Sequence, residues 1–248
     1  MPDSDIRAER THKRVRAFLG GSLVADSTEA WMVWEVPSYP AYYVPRRDVA
    51  AHLQPTGATE AGPGGMPGTV HDVVAGHAVA KGAACTFQDA SLPLLRDLVR
   101  LQFAAMDQWL EEDELVFVHP RDPYTRVDIL ASSRRVEVAV AGVLVAESDQ
   151  PRILFETGLP PRYYLPFPHL RGEYLRRSDT VTRCPYKGTA HYWSVEVEGV
   201  LHEDCAWYYD APLPESQRIA GLVCFYQEKA DVTVDGAPLP SAAPRRRT

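Results

Sequence analysis

Hydrophobic and polar side chains alternate along several short stretches of this chain, which is the pattern of β-strands with one buried face. The longest such stretch, residues 136–145, is interrupted by Ala141-Gly142, a pair typical of a tight turn. Residues 15–24 repeat the arrangement around Gly20-Gly21. Each of the two stretches therefore predicts a β-hairpin.

Other stretches are short, rich in β-branched or aromatic residues, and bounded by glycine or proline. They predict strands at residues 31–35, 42–44, 153–156, 163–165 and 190–197. Many short strands in a chain with 21 prolines favour a mostly β fold with short helical turns.

The chain repeats itself after 121 residues without a gap. Residues 14–45 and 135–166 are identical at 12 of 32 positions. Stacked repeats have periods of roughly 20 to 50 residues, so this longer period indicates two copies of one domain. We therefore predict two tandem small domains in the following order: a disordered tail at 1–12, a first copy at 13–110, a charged, proline-rich linker at 111–133, a second copy at 134–238, and a disordered tail at 239–248.

The secondary structure of two further stretches of the first copy is predicted from the repeat and from composition. Residues 94–109 have the apolar spacing of a helix, but the repeat aligns them with 219–226, whose composition suits a strand. Following the repeat, we predict a strand at 98–103 and a helical turn at 106–111. Residues 57–68 are mostly glycine and other small residues, which predicts a flexible surface loop outside the core.

Composition narrows the classes of function. The net charge is −7 and the one basic run is Arg245-Arg246-Arg247, so we expect no nucleic-acid partner. A signal peptide and an apolar stretch long enough to span a membrane are both missing, and we expect a cytoplasmic protein with no membrane partner. The four cysteines form no C-x-x-C pair, which predicts reduced thiols and no clustered metal ligands.

The two copies differ in one loop that carries reactive groups. The second copy has Cys184-Pro185-Tyr186-Lys187-Gly188 where the first has Pro63-Gly64-Gly65-Met66-Pro67. Pro185 fixes its own φ and Gly188 permits a positive φ, so the loop can turn sharply and bring several side chains to one space. Because the first copy folds without this loop, its side chains exceed what the fold requires.

A thiol, a phenol, an amine and an imidazole occur within eight residues, at Cys184, Tyr186, Lys187 and His191. Surrounded by aromatic rings, the Lys187 amine would be a nucleophile or base if neutral and a clamp for an anion if charged. Alternatively, Lys187 has no chemical role: its methylene stem packs on an aromatic ring, and its amine reaches the solvent.

The neighbours of Lys187 also allow a functional or a structural interpretation. Cys184, beside Arg183, is either a reactive thiolate or a buried inert thiol. His191 is either an acid or base near neutral pH or an ordinary strand histidine. Strand alternation places His191 and Trp193 on one face and Ala190 and Tyr192 on the other.

Several motifs together resemble the family known as domain of unknown function 427, in its tandem form. The resemblance extends over nearly the whole chain, about residues 13–236, and rests on these motifs: Thr182 to Val195, Ala206-Trp207-Tyr208, Pro212, Pro214, Ile219-Ala220-Gly221, Phe225-Tyr226, Asp107 to Glu112, and His119 to Tyr124. The resemblance implies a compact, mostly β domain of curved, tent-like antiparallel sheets. Some resources file the family under nucleotidyltransferases, although no metal-binding carboxylate pair of that kind can be read in this sequence.

Two departures from the family pattern concern the candidate site. The first copy lacks the Cys-Pro-Tyr-Lys-Gly loop, and Phe167-Pro168-His169 stands where the first copy has Arg46-Arg47-Asp48. The second difference predicts an apolar segment and a histidine beside the site, which points to a specialised ligand.

We therefore hypothesise an enzyme of transferase or acid–base type that acts on a small polar or anionic metabolite in a cleft of the second copy. The candidate catalytic residues are Lys187, Tyr186, His191 and Cys184, and the candidate ligand-binding residues are Tyr164, Trp193, Trp207, Tyr208 and Arg183. The alternatives are a non-catalytic module that binds a small molecule or a partner, and a purely structural protein. The sequence names no cofactor, substrate or oligomeric state.

Overall fold

The structure is a computed structural model that describes residues 6–37, 39–88 and 93–240. The chain divides into two compact units, Met1–Asp122 and Pro123–Thr248. Strands joined by turns and short 3₁₀ turns make up the described residues of both units, and all strand pairs within the sheets are antiparallel. The predicted mostly β architecture in two parts is confirmed.

The first unit contains two sheets. Its strands are β1 (Ala8–Arg10), β2 (Val15–Leu19), β3 (Ser22–Ser27), β4 (Trp31–Val36), β5 (Tyr39–Pro45), β6 (His52–Ala61), β7 (Pro67–Ala75), β8 (Ala78–Thr86), β9 (Leu98–Leu101), β10 (Gln108–Glu111) and β11 (Glu114–Val116). A seven-stranded sheet has the order β1-β4-β5-β9-β8-β7-β6, and a four-stranded sheet has the order β11-β10-β2-β3.

The second unit repeats this plan. Its strands are β12 (Val127–Ala131), β13 (Val136–Val140), β14 (Val143–Ser148), β15 (Arg152–Glu156), β16 (Arg162–Leu165), β17 (Leu175–Cys184), β18 (Gly188–Val197), β19 (Val200–Tyr208), β20 (Val223–Phe225), β21 (Asp231–Val234) and β22 (Ala237–Pro238). The seven-stranded sheet has the order β12-β15-β16-β20-β19-β18-β17, and the four-stranded sheet has the order β14-β13-β21-β22.

The seven-stranded sheet of the second unit carries a buried cluster on each face, because successive side chains of a strand point to opposite sides. On one face, Val195 and Ala206 pack with Val138 of the four-stranded sheet. On the other face, Tyr164, Tyr192 and Trp207 belong to a separate, largely aromatic cluster. This aromatic face carries the cavity described below.

The predicted helical turn at 106–111 is wrong, because Gln108–Glu111 is strand β10. This strand pairs with β2, and its alternating side chains bury Trp109 and Glu111. The short 3₁₀ turn lies earlier, at Phe103–Ala105. Pairing with a distant strand outweighs the local apolar spacing of this stretch.

The flexible loop predicted at 57–68 is also wrong, because these residues belong to the hairpin formed by β6 and β7. Its 3₁₀ turn is Pro63–Gly65, and the following residue, Met66, is buried in a cluster with Phe87. A Cβ on Gly62 or Gly68 would overlap the Phe87 ring. The glycines therefore allow close packing against a ring.

The ends of the predicted domains also contain regular structure. Strand β1 lies inside the predicted N-terminal tail, and β11 and β12 lie inside the predicted linker at 111–133. β11 pairs with β10 in the first unit, and β12 pairs with β15 in the second unit. Residues 1–5 and 241–248 of the predicted tails lie outside the described residues.

Candidate functional site

A cavity of about 230 Å³ lies on the aromatic face of the seven-stranded sheet in the second unit. Five aromatic residues line it, beside a few aliphatic ones: Tyr164, Tyr192, Trp207, Tyr209 and Tyr226. Polar groups enter the wall from β15, β16 and β17 and from the loop after β17: Glu156, Arg162, Thr182 and Lys187. An apolar pocket with a few convergent polar groups is the usual form of a small-molecule site.

An ion pair that is largely shielded from solvent forms part of the cavity wall. The Lys187 Nζ donates a hydrogen bond to Glu156 Oε2 at 2.5 Å, and the two side chains are only 12% and 10% exposed. An ammonium in such a pair has no lone pair for nucleophilic attack. The geometry therefore favours Lys187 as a fixed positive charge and hydrogen-bond donor.

The loop that carries Lys187 is fixed by its own backbone. The carbonyl oxygen of Lys187 accepts a hydrogen bond from the Leu213 amide at 3.2 Å, and that of Tyr186 accepts one from Ser216 Oγ at 3.1 Å. Gly188 has φ +94°, which favours glycine. The predicted sharp turn is thus present, and it holds the lysine stem towards the cavity.

Hydroxyl groups supply further hydrogen-bonding groups along the wall. Tyr192 OH lies 2.8 Å from Thr182 Oγ1 and 3.4 Å from Tyr226 OH. Burial raises the pKa of Tyr226 well above its ordinary value, and it raises the pKa of Tyr164 in the same way. Both phenols therefore stay protonated and can donate hydrogen bonds at neutral pH.

Arg162 closes another part of the wall. Its guanidinium lies 5.6 Å from the Trp207 ring centre and donates two hydrogen bonds to Glu228, at 3.0 and 3.3 Å. The Trp207 indole in turn donates to Tyr164 OH at 3.0 Å. These contacts fix the orientation of the largest ring in the cavity.

The predicted site residues separate into two groups on opposite faces of the sheet. Lys187, Tyr164 and Trp207 line the cavity, while Cys184, at the end of β17, and Tyr186, in the loop that follows, lie outside its wall. The remaining four, Arg183, His191, Trp193 and Tyr208, lie on the other face. The single cleft predicted for Tyr164, Tyr186, Lys187, His191, Trp193 and Trp207 is therefore wrong.

Strand alternation is the physical reason for this separation. The ring centres of His191 and Trp193 lie 5.7 and 5.8 Å from that of Tyr208. Tyr192, between them in β18, points to the cavity. The expectation that His191 and Trp193 share one face is confirmed, and the same alternation excludes them from the cavity.

The sequence interpretation missed the carboxylate of the pair. Glu156 recurs as Glu35 in the first copy, and recurrence in both copies favours a structural role over catalysis. In the first unit, Glu35 accepts hydrogen bonds from Arg100 at 2.9 Å and from the Tyr43 hydroxyl at 2.5 Å. Strand register offsets β6 and β7 from β17 and β18 by 122 residues, not by 121 as the sequence repeat indicates. The counterpart of Lys187 is therefore Gly65, which has no side chain, and Met66, at the position of Gly188, is buried in the apolar cluster there.

Both units thus pair this glutamate with a cation, but the cation comes from different strands. Arg100 pairs across strands with Tyr43, and its counterpart opposite Tyr164 is Cys224. An ion pair at this glutamate is a property of the duplicated fold. The second unit differs in taking its cation from the loop, and this places an ammonium at the cavity.

The described residues contain no group of three or more His, Cys, Asp or Glu side chains arranged to hold a metal ion. Within the same part of the chain, no helix is long and apolar enough to cross a membrane.

A family model named NTP_transf_9, described as a domain of unknown function (DUF427), matches residues 7–112 and again residues 128–236. The first match falls in the first unit and the second match in the second unit. No curated protein matches the chain.

Proposed function

The chain belongs to the family of domain of unknown function 427 in a tandem form, and on that premise we propose that its second unit binds a small polar metabolite in the cavity beside Lys187. The observation that carries the proposal is the desolvated pair of Lys187 and Glu156 in the wall of an otherwise aromatic cavity. A charged pair placed against rings offers a donor and an acceptor to a ligand that also stacks.

Charge balance indicates the kind of ligand. Lys187 is paired with Glu156 and Arg162 with Glu228, so each cation of the wall has its anion. A strongly anionic ligand would have to compete with these carboxylates. A neutral or dipolar ligand can instead accept a hydrogen bond from Lys187 and donate one to Glu156, because a carboxylate has further lone pairs.

Each remaining wall residue has a role in this arrangement. Trp207 and Tyr226, whose ring centres are 4.3 Å apart, provide apolar ring surface for stacking. The hydroxyls of Tyr192 and Thr182 provide hydrogen bonds at the edge of the ligand. The loop of Cys184 and Tyr186 positions Lys187 and makes no direct contact with the ligand.

The second candidate function is an enzyme that transfers a group or a proton on the bound metabolite. It is favoured by the short, desolvated contact between a carboxylate and an ammonium, since active sites commonly hold such pairs. Glu156 would be the acid or base, and Lys187 would stabilise developing negative charge. Nucleotidyl transfer, which the name of the family model suggests, is one reaction of this class.

Thermal-shift screening against amino acids, nucleotides and other small metabolites tests the proposal. The test variant is Lys187→Met with Glu156→Gln, which removes both charges and leaves none unpaired. We expect compounds that stabilise the native protein and leave this variant unchanged. Mass analysis of the same mixtures separates the two candidates, since conversion of the compound indicates an enzyme. Equal stabilisation of both proteins by every compound would exclude the site.

A further inference from the structure

Four rings form a continuous row on the face of the sheet opposite to the cavity. The row runs from His191 through Tyr208 and Trp193 to Phe167, with successive ring centres 5.7, 5.8 and 5.8 Å apart. Neighbouring ring planes are inclined by 37°, 28° and 38°. His191, Trp193 and Tyr208 are half-buried, and Phe167 is 45% exposed. We call these four residues the ring row.

The first unit shows that the fold does not require these rings. Strand register makes the positions equivalent: Thr69 pairs with Thr86 as His191 pairs with Tyr208, and His71 pairs with Ala84 as Trp193 pairs with Ala206. Arg46 and Phe167 each begin the 3₁₀ turn after the fifth strand from the same repeat position.

The equivalent positions in the first unit therefore hold two threonines, a histidine and an arginine. Thr86 and His71 are joined there by a hydrogen bond of 2.9 Å. A sheet of the same plan is thus built with a polar surface at this place. Trp193 and Tyr208 pack with part of their surface against the core cluster that contains Val195 and Ala206. The ring row is nevertheless an addition of the second unit, because the first unit builds the same sheet without it.

Polar groups accompany the ring row along its edges. The Arg177 guanidinium lies 5.7 Å from the Trp193 ring centre, and Arg183 pairs across strands with Thr189, two residues before His191. At the His191 end, the Asp210 carboxylate is 4.0 Å from the imidazole and is 70% exposed. The first unit has Pro55 and Ala61 at the positions of the two arginines.

We propose that the ring row is a binding site for an oligosaccharide, separate from the cavity and independent of its function. Sugar rings have an apolar face of C–H groups that stacks on aromatic rings, and a rim of hydroxyls that both donate and accept hydrogen bonds. The adjacent, gently inclined rings form a surface on which successive sugar units lie. The arginines donate to hydroxyl oxygens, and Asp210 accepts from hydroxyl groups.

Single-stranded nucleic acid also stacks on exposed rings, but the charges favour a sugar. A phosphate backbone is held by a positively charged groove. Here Asp210 places an exposed carboxylate at one end of the row, and the whole chain carries a net charge of −7. Mixed charges complement a hydroxyl-rich chain better than a polyanion.

The test is a glycan panel of neutral and uronate-containing hexasaccharides, with a twelve-residue oligothymidylate as the competing ligand. The variants are Trp193→His and Tyr208→Thr, singly and combined, because the first unit carries these residues at the equivalent positions and folds with them. We expect at least one hexasaccharide to bind the native protein. Each single change weakens this binding by up to about tenfold, since one ring contact contributes up to about that factor.

The control is Lys187→Met with Glu156→Gln, which alters the cavity on the other face and leaves hexasaccharide affinity unchanged. The proposal is overturned if no hexasaccharide binds, if oligothymidylate alone binds, or if the combined Trp193→His and Tyr208→Thr variant binds as tightly as the native protein. Melting of each variant confirms that it is folded. Loss of the cavity ligand in the control variant does not affect this test, so the two sites can fail separately.

Discussion

Substituting Lys187 by methionine tests how the charge of the cavity is held. The change removes one partner of the pair at 2.5 Å and leaves the Glu156 carboxylate, which is 10% exposed, without a cation. Methionine is unbranched and flexible, as lysine is, but carries no charge. It can therefore keep the apolar contacts of the lysine stem, and the cost comes from the unpaired charge.

The expected loss of stability follows from this burial. Breaking a buried ion pair by removing one partner costs about 3–5 kcal/mol, because a charge stays in a poorly solvated place. Since both side chains keep about a tenth of their exposure, we expect the lower end, about 3 kcal/mol. Adding Glu156→Gln removes the unpaired charge and should restore most of this loss.

Amide hydrogen exchange measures the effect within one unit. The slowest amides of β18 and β19 report unfolding of the second unit, and 3 kcal/mol makes their exchange roughly a hundredfold faster. Strands β7 and β8 of the first unit serve as the internal reference. The matched control is Arg134→Met, whose pair with Asp235 has both side chains half exposed, so its loss should change the stability little.

Two results would contradict a loss of stability caused by the unpaired charge of Glu156. Exchange in β18 and β19 that accelerates no more in Lys187→Met than in Arg134→Met would show that the pair is well solvated. Failure of Glu156→Gln to recover the lost protection would show that the lysine stem, and not its charge, stabilises the loop.

Three further predictions concern single groups. Cys184 is the half-buried thiol among four free cysteines, so alkylation of the native protein followed by mass mapping should label it first; equal labelling of the buried cysteines would contradict its position. Gly68→Ala places a methyl group against Phe87 and should lower the free energy of unfolding, measured by urea denaturation, by about 1–3 kcal/mol. Gly172→Ala, with open space around it, should leave this free energy unchanged. Burial holds the pKa of Tyr226 above its unfolded value of about 10, so its contribution to stability is complete below that pH and declines above it; a urea midpoint that stays constant on alkaline titration would disagree.

Alternation and turn residues were enough to predict most of the fold. The hairpins at 15–24 and 136–145 and the strand at 190–197 are confirmed, because their periodicity and their glycine turns agree with their tertiary partners. The errors arose where local composition and distant contacts disagree. The conformation of β10 is determined by its pairing with β2. Gly62 and Gly68 leave room for the ring of Phe87, which comes much later in the chain.

The candidate site was predictable in part. The loop difference between copies identified Lys187, and the aromatic content identified Tyr164 and Trp207. The partner Glu156 was missed because its recurrence at Glu35 looked purely structural, and only strand register shows that the cation has moved from Arg100 to the loop. The division of the site between two faces follows from alternation in β18, which turns Tyr192 to the cavity and His191 and Trp193 away from it.

A calorimetric titration of the best stabilising compound from the screen tests most directly whether the cavity beside Lys187 and Glu156 binds a small metabolite. The titration compares the native protein with the variant carrying Lys187→Met and Glu156→Gln. We expect saturable binding of one molecule per chain to the native protein. Binding to the variant should be at least tenfold weaker, since a hydrogen bond to a charged group contributes about 1.5–3 kcal/mol. Equal affinity for the two proteins would contradict it.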